Sequence, residues 1–341
     1  IEEEFLERLS KGDIFILGGK TYEYRYSRGF RAYVKPVEKG KPTVPTWFSE
    51  MLPLTFDLGE AIGRFRGRVF KMFKAGYGLG DIADFISGET RSDVYASRAI
   101  AGYFKAEYDF LNSLGVRDYP CDDVTPVEEY IDPEGRQNII FNCVFGRRVH
   151  DALSRAYAHT SLMEKKRSVM VTVSDSGFML TLPKGSYIDS FRMIRQVNSS
   201  NIRGILIDGV KRTEMVRRRF RHCATRALMV LRNYKGHEIT VSRQQTNSQI
   251  LMGICEELDR FPVLEETYRE VVEDLMDVAT AEKILADVER GRRRFTVCSR
   301  SDLASPFSHD LILLGYSDVV LMADKKALLE SLYDSVMKRI R

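Results

Sequence analysis

Three kinds of residue in this 341-residue sequence could do chemistry, and two of them fail on spacing. Gly18-Gly19-Lys20-Thr21 ends like a phosphate-cradling loop. That loop also needs a glycine where Ile14 stands, and a helix after the lysine. Here Tyr22, Tyr24 and Tyr26 alternate with Glu23 and Arg25, which is the period of a strand. No nucleotide is expected there. The histidines, His150, His159, His222, His237 and His309, form no HExxH or HxH pair. The cysteines, Cys121, Cys143, Cys223, Cys255 and Cys298, form no CxxC, so neither a zinc site nor a disulfide framework is indicated. No GxSxG elbow is present, and Gly76-Tyr77-Gly78-Leu79-Gly80 lacks the spacing of a dinucleotide loop. Asp122-Asp123 and Glu128-Glu129 are adjacent acids, but neighbours on extended backbone point apart. No catalytic, metal or cofactor-binding set emerges, so a free-standing enzyme is not expected.

The third kind is basic and aromatic. From Lys211 to Arg232 there are eight basic residues against one acidic, Glu214, whereas from Glu256 to Arg290 twelve acids face four bases. Around Arg217, Val216, Phe220, Cys223, Ala224, Ala227, Leu228 and Leu231 form an apolar stripe at helical spacing. Arg218, Arg221 and Arg232 fall opposite that stripe, a geometry suited to phosphates. Solvation, or pairing with the downstream acids, is the competing reading. Between Arg64 and Lys74 five basic residues occur with no acid, and Arg64, Lys71 and Lys74 point away from their helix's apolar side. Trp47, the single tryptophan, lies just upstream on a loop carrying Pro42, Pro45 and Pro53. It is either a core residue or a ring held out for a nucleobase.

The elements that must position these residues are mixed. Asp13–Val37 reads as a β-meander. A helix follows, with Asp57 as its N-cap and Leu58, Ile62, Phe65, Val69 and Phe73 inward. Gly59, Gly63 and Gly67 form a second stripe that lets a neighbouring backbone approach closely. Helices are expected over 81–86, 92–114 and 147–162, strands over 124–131, 138–145 and 295–299, and a hairpin over 168–182. The stretch to Arg290 is mostly helical, interrupted near 234–241. A last helix opens at Asp324 and buries Leu328, Leu329, Leu332, Val336 and Ile340. Strand pieces flank helical insertions, about 57–115 and 186–290, so the class is α+β with a curled, barrel-like sheet. Net charge is +4, hydrophobic residues make up 44% and charged residues 29%, which excludes whole-chain disorder or coiled coil. No apolar run approaches a membrane span and no signal peptide opens the sequence, so a reducing cytoplasm is the default location. The chain starts at Ile1 inside an apparent helix, as a fragment of a longer protein would.

The residues together resemble the large helicase-related (Lhr) family of superfamily-2 nucleic-acid helicases, in its archaeal branch. The resemblance is carried by GDIFILGGKTY (Gly12–Tyr22), PTVPTWFSEMLPLTFDLGEAIGRF (Pro42–Phe65), VFGRRVHDAL (Val144–Leu153), RRRFRHCATRALMVLR (Arg217–Arg232), FPVLEETYREVVEDLMDV (Phe261–Val278) and SPFSHDLILLGYSDVVLMADKKALLESL (Ser305–Leu332). These run in family order along nearly the whole chain. The match is to the DEAD/H-associated region that follows the two RecA-like motor domains and a winged helix. It implies that residues 1–10 end the winged-helix domain and that 11–341 form one composite module packed on those domains. It also implies a grip on the single strand of DNA or RNA leaving a 3′–5′ motor driven by ATP and Mg²⁺, with Trp47 as a base-stacking ring. Family members often carry a tryptophan near the Gln pair, whereas Ser242-Arg243 precede Gln244-Gln245 here. Walker A and DExH motifs are absent, so this chain is not expected to hydrolyse ATP. The alternative is a scaffold whose basic helix docks other domains without meeting nucleic acid.

Overall fold

Strand alternation and helix capping account for most of the architecture. The computed structural model describes residues 5, 9–17, 20–28, 31–37, 52–258, 260–316 and 322–340. They divide into two compact units, 1–52 with 231–246, and 53–230 with 247–341.

In the first unit, β1 (Ile14–Leu17), β2 (Lys20–Arg28) and β3 (Arg31–Pro36) form an antiparallel sheet in chain order. The expected meander is thus present. Its inner face buries Phe15 and Tyr24 against Leu9, with Phe5 edge-on to Phe15 at 5.4 Å. A separate two-stranded hairpin joins β8 (Asn233–Tyr234) to β9 (His237–Glu238). Its turn residues Lys235 and Gly236 both have positive φ, 49° and 79°, the signature of a tight primed turn. The barrel expectation needs correction. Among the described residues every sheet is open: the strand orders β1-β2-β3 and β8-β9, and that of the five-stranded sheet in the second unit, each leave two edge strands unjoined. The winged-helix expectation for residues 1–10 falls mostly outside the described residues.

The second unit is built on a five-stranded sheet in the order β10-β4-β5-β7-β6. Its strands are β4 (Val124–Ile131), β5 (Gln137–Asn142), β6 (Met170–Val173), β7 (Gly177–Thr181) and β10 (Arg294–Val297). β10 runs parallel to β4 and the other pairs are antiparallel. Alternation sorts the side chains. Ile139, Phe141, Phe178 and Leu180 face a core covered by α4 (Arg147–Lys165), α6 (Ile202–Val210), α7 (Glu214–Arg226) and α10 (Val278–Glu289). Ile140 and Met179 face the opposite side, towards Leu311 and Ile312 of α11 (His309–Gly315). A sheet covered on both faces needs apolar residues on successive strand positions, as at Ile139, Ile140 and Phe141 of β5. Each fully buried large side chain contributes about 1.5–3 kcal/mol. Short helices α5 (Ser190–Gln196), α8 (Val241–Glu256) and α9 (Pro262–Arg269), and a wide π-type turn at Glu270–Leu275, complete the middle of the chain.

A helical group, α1 (Phe56–Lys74), α2 (Leu79–Thr90) and α3 (Val94–Ser113), has its own core around Phe70, Phe104, Phe110 and Ile86. Thr55, not Asp57, caps α1, because its hydroxyl accepts from Leu58 N and Asp57 already lies within the first turn. Leu58 is exposed and Ile62 half-buried, and the buried apolar side chains of α1 begin only at Val69. The final helix, α12 (Met322–Ile340), buries Val336, but Leu329 is exposed.

Polar groups tie the helical group to the sheet. Glu128, on the opposite face from Glu129, accepts from Ser305 N at 2.8 Å and from the Ser305 and Ser308 hydroxyls at 2.6 and 2.8 Å. Glu107 of α3, fully buried, accepts from Phe307 N at 3.0 Å. Burial first, and the charge of Glu128 second, push the Glu107 carboxyl up to about 8.

Candidate nucleic-acid interface

The glycine stripe of α1 places the cations. A Cβ on Gly59 would lie 1.8 Å from Val144 O, and one on Gly63 would lie 2.8 Å from Asp122 N. One on Gly67 would lie 3.3 Å from Cys121 Cβ. The helix therefore rests directly on the backbone around 121–122 and 144–146, as the spacing predicts. The partner turn answers in kind. Gly146 has φ of 89°, and a Cβ there would meet Leu54 O at 2.4 Å. His150 locks this turn from behind. Its Nε2 accepts from Phe145 N at 3.0 Å and its Nδ1 lies 2.8 Å from Ser174 O. Burial drives its pKa down to about 4, so the ring is neutral and Nδ1–H donates to that carbonyl. The Val144–Leu153 segment is therefore structural: it docks α1.

With α1 pinned, Arg64, Arg68, Lys71 and Lys74 rise along one edge of a cleft of about 620 Å³, and all four are exposed. The other wall comes from Asp118, Tyr119, Cys121, Asp122, Asp123 and Arg294. The expected trio Arg64, Lys71 and Lys74 is thus brought together. Arg68 pairs with Glu89 at 2.6 Å, and Arg64 only loosely with Glu60 at 3.8 Å. Lys74 Nζ sits 4.8 Å over the Tyr119 ring. Among the described residues no carboxylate lies within ion-pair distance of Lys71 or Lys74. Of the acids opposite, Asp118 is paired with a cation. Burial raises the Asp118 carboxyl, but hydrogen bonds from Arg294 at 2.8 Å and Thr296 at 2.9 Å outweigh it and hold it below its ordinary value. Arg293 bridges Glu60, at 2.6 Å, and the Asp122 carbonyl. Cys121, Asp122 and Asp123 converge within 4.8 Å. Burial, and then Asp123, push the Cys121 thiol up to about 12, so it is protonated at neutral pH.

The second expected surface, on α7, is different. The helix ends at Arg226, and Leu228 turns the backbone to φ of 60°, so Arg232 lies beyond it, exposed. Arg232 is not on the α7 face. Leu228 and Leu231 are exposed, not part of the stripe. Arg221 also needs correction. It is buried at 6% exposure, because neighbouring helices cover the flank that a lone helix would offer to water. Arg218 is half-buried. Arg219, at 3.2 Å, and Arg226 both engage Glu270, itself 3% exposed. Pairing with the downstream acids, the competing reading, describes these two arginines. Trp47 lies outside the described residues.

Sequence reasoning missed Arg68 and Arg294. Arg68 was legible as the residue one turn after Arg64. Arg294 reaches the cleft only because β10 returns beside β4, a pairing across 170 positions of Val124 and Arg294 that no local pattern reveals.

Among the described residues no helix is long and apolar enough to cross a membrane. Residues 119–308 match the family described as DEAD/H associated. The ATP-dependent helicase Lhr-Core of Saccharolobus solfataricus is 41% identical over 343 residues, covering 100% of this chain and 39% of that protein. Its counterpart in Sulfolobus acidocaldarius is 38% identical over 341 residues, covering 100% of this chain and 38% of that protein. The chain thus spans under two fifths of the length of these relatives. The solved structure of Mycobacterium smegmatis helicase Lhr bound to ssDNA and AMP-PNP shares the fold, with a TM-score of 0.63 at 24% identity. That match covers 80% of this chain and 33% of the other. With more than half its length matched, the chain belongs to the DEAD/H associated family and is similar throughout to a part of the Lhr-Core helicases.

Proposed function

We propose that this chain is the accessory region of an ATP-dependent helicase and grips single-stranded DNA or RNA through the α1 cleft. The observation that carries this reading is the row Arg64, Arg68, Lys71 and Lys74, exposed along one edge of the cleft on a helix seated by close backbone contact. Phosphates spaced along a strand suit cations repeated every turn of a helix. In this reading ATP and Mg²⁺ act in RecA-like motor domains, and a winged-helix domain packs nearby. Trp47 stacks on a base, a role that rests on the family resemblance alone. The Arg219–Glu270–Arg226 cluster favours a second role for α7: it holds the helical layer together and offers a docking face to other domains. The two roles separate in one experiment. Lys71→Glu with Lys74→Glu lowers the affinity for oligo-dT and leaves the melting temperature unchanged. Unchanged affinity would favour the scaffold reading.

A further inference from the structure

The outer face of the β1–β3 sheet carries an aromatic pair that strand periodicity alone would have hidden. In a regular strand Tyr22, Tyr24 and Tyr26 would share one face. They do not. Tyr24 pairs with Val34 but Tyr26 pairs with Tyr33, so Arg25 is an extra residue, a β-bulge. A bulge re-aims the side chains beyond it. Tyr24 stays inward at 9% exposure, while Tyr26 turns outward at 54% and meets Tyr33, itself 40% exposed. Their rings lie 4.6 Å apart and 18° from parallel. Turning a large ring outward forgoes burial, so the bulge runs against what stability alone selects.

The surroundings fit a polyanion. From Lys20 to Pro36 there are five basic residues and one acid, Glu23. That acid is already engaged by Arg25 at 3.3 Å. Arg31 and Lys35 are exposed and alternate with Ala32 and Val34, so they share the outer face with Tyr33. Planar rings already in stacking register, edged by cations, suit a flat base joined to a phosphate better than a peptide side chain.

We infer that Tyr26 and Tyr33 form a base-stacking platform for single-stranded nucleic acid, with Arg31 and Lys35 meeting its phosphates; this rests on the nucleic-acid-binding reading above. A base continues the ring stack on the free face of Tyr26. Recognition is through the π-face, so sequence preference is weak.

The test uses the full chain with fluorescein-labelled oligo-dT and oligo-U at low salt. Tyr26→Leu and Tyr33→Leu should each weaken binding about 5- to 140-fold, the range for one lost base–aromatic stack. Tyr26→Phe and Tyr33→Phe should bind like the unchanged chain, since the ring is retained. Loss on one polymer alone supports the platform and shows which of the two it takes. Should the Leu variants unfold, irradiating the unchanged chain with 5-iodouracil oligonucleotides must cross-link Tyr26 or Tyr33, and cross-links only elsewhere would overturn the platform. If folded Leu variants bind as tightly as the unchanged chain while Lys71→Glu with Lys74→Glu binds less, the platform is wrong and the cleft stands. If the unchanged chain binds neither oligonucleotide, both fall.

Discussion

Alanine substitutions along the glycines of the helical group should rank by the space each Cβ would find. At Gly59 the new carbon would sit 1.8 Å from Val144 O and 2.9 Å from its carbonyl carbon. An ordinary C···O contact is about 3.3 Å, so the two backbones must part by roughly 1.5 Å. Both are backbone, and α1 cannot swing away without opening the core at Val69, Phe70 and Phe73. Overpacking of this kind costs about 1–3 kcal/mol or more, while Gly→Ala inside a helix returns about 1 kcal/mol. The net for Gly59→Ala is a loss of about 2 kcal/mol. At Gly63 the closest atoms, at 2.8 and 2.9 Å, belong to Asp122 backbone, so the loss is about 1 kcal/mol. At Gly67 the nearest atom is a side-chain carbon at 3.3 Å, and the two effects cancel to about zero. Gly102, inside α3 with nothing within 4 Å of its Cβ position, should gain up to about 1 kcal/mol. Urea unfolding of the four variants, read as midpoints at constant slope, gives the order directly. The reasoning fails if Gly59→Ala proves as stable as Gly102→Ala. A helix docked by close backbone contact could not absorb that methyl group.

The charges give three further outcomes. The Glu107 carboxyl titrates at about 8 when folded against an ordinary 4.5, so the folded state holds an extra proton between these values. Stability from this group is therefore full below the lower value and lost as pH rises through the higher one. Melting temperature should fall between about pH 5 and pH 8 and level off above, and Glu107→Gln should flatten that fall; an identical profile in the variant would refute it. Arg219→Met leaves buried Glu270 short of a partner and should cost about 1–3 kcal/mol in chemical denaturation with little change in oligonucleotide affinity. Arg221→Glu places a reversed charge at a site 6% exposed, so its main effect should be unfolding, seen as lost cooperativity in the thermal melt.

Local signals were legible where local physics decides. The meander at 13–37, the helix through Arg64–Lys74 and the glycine stripe depend on period, turn residues and the missing Cβ, all visible in one dimension. The end of α7 was not legible. Apolar residues continue past Arg226 at helical spacing, yet Leu228 adopts φ of 60° and the helix stops. Arg221 illustrates the same limit from another side: a helical wheel assumes one partner face, while α7 is packed on more than one. The bulge at Arg25 left no mark either, since the tyrosines keep their period while the backbone breaks it. Arg294 entered the cleft by long-range strand pairing, which no window of the sequence contains.

The claim that the α1 cations hold phosphates is tested most directly by the salt dependence of oligo-dT affinity. Each phosphate neutralised on a single strand contributes a slope of about −0.7 in log K against log salt. Lys71→Glu with Lys74→Glu removes two cations that have no described carboxylate within ion-pair distance. The slope should flatten by about 1.4, and affinity should drop alike for every base composition. An unchanged slope, with the variant folded, would contradict the account.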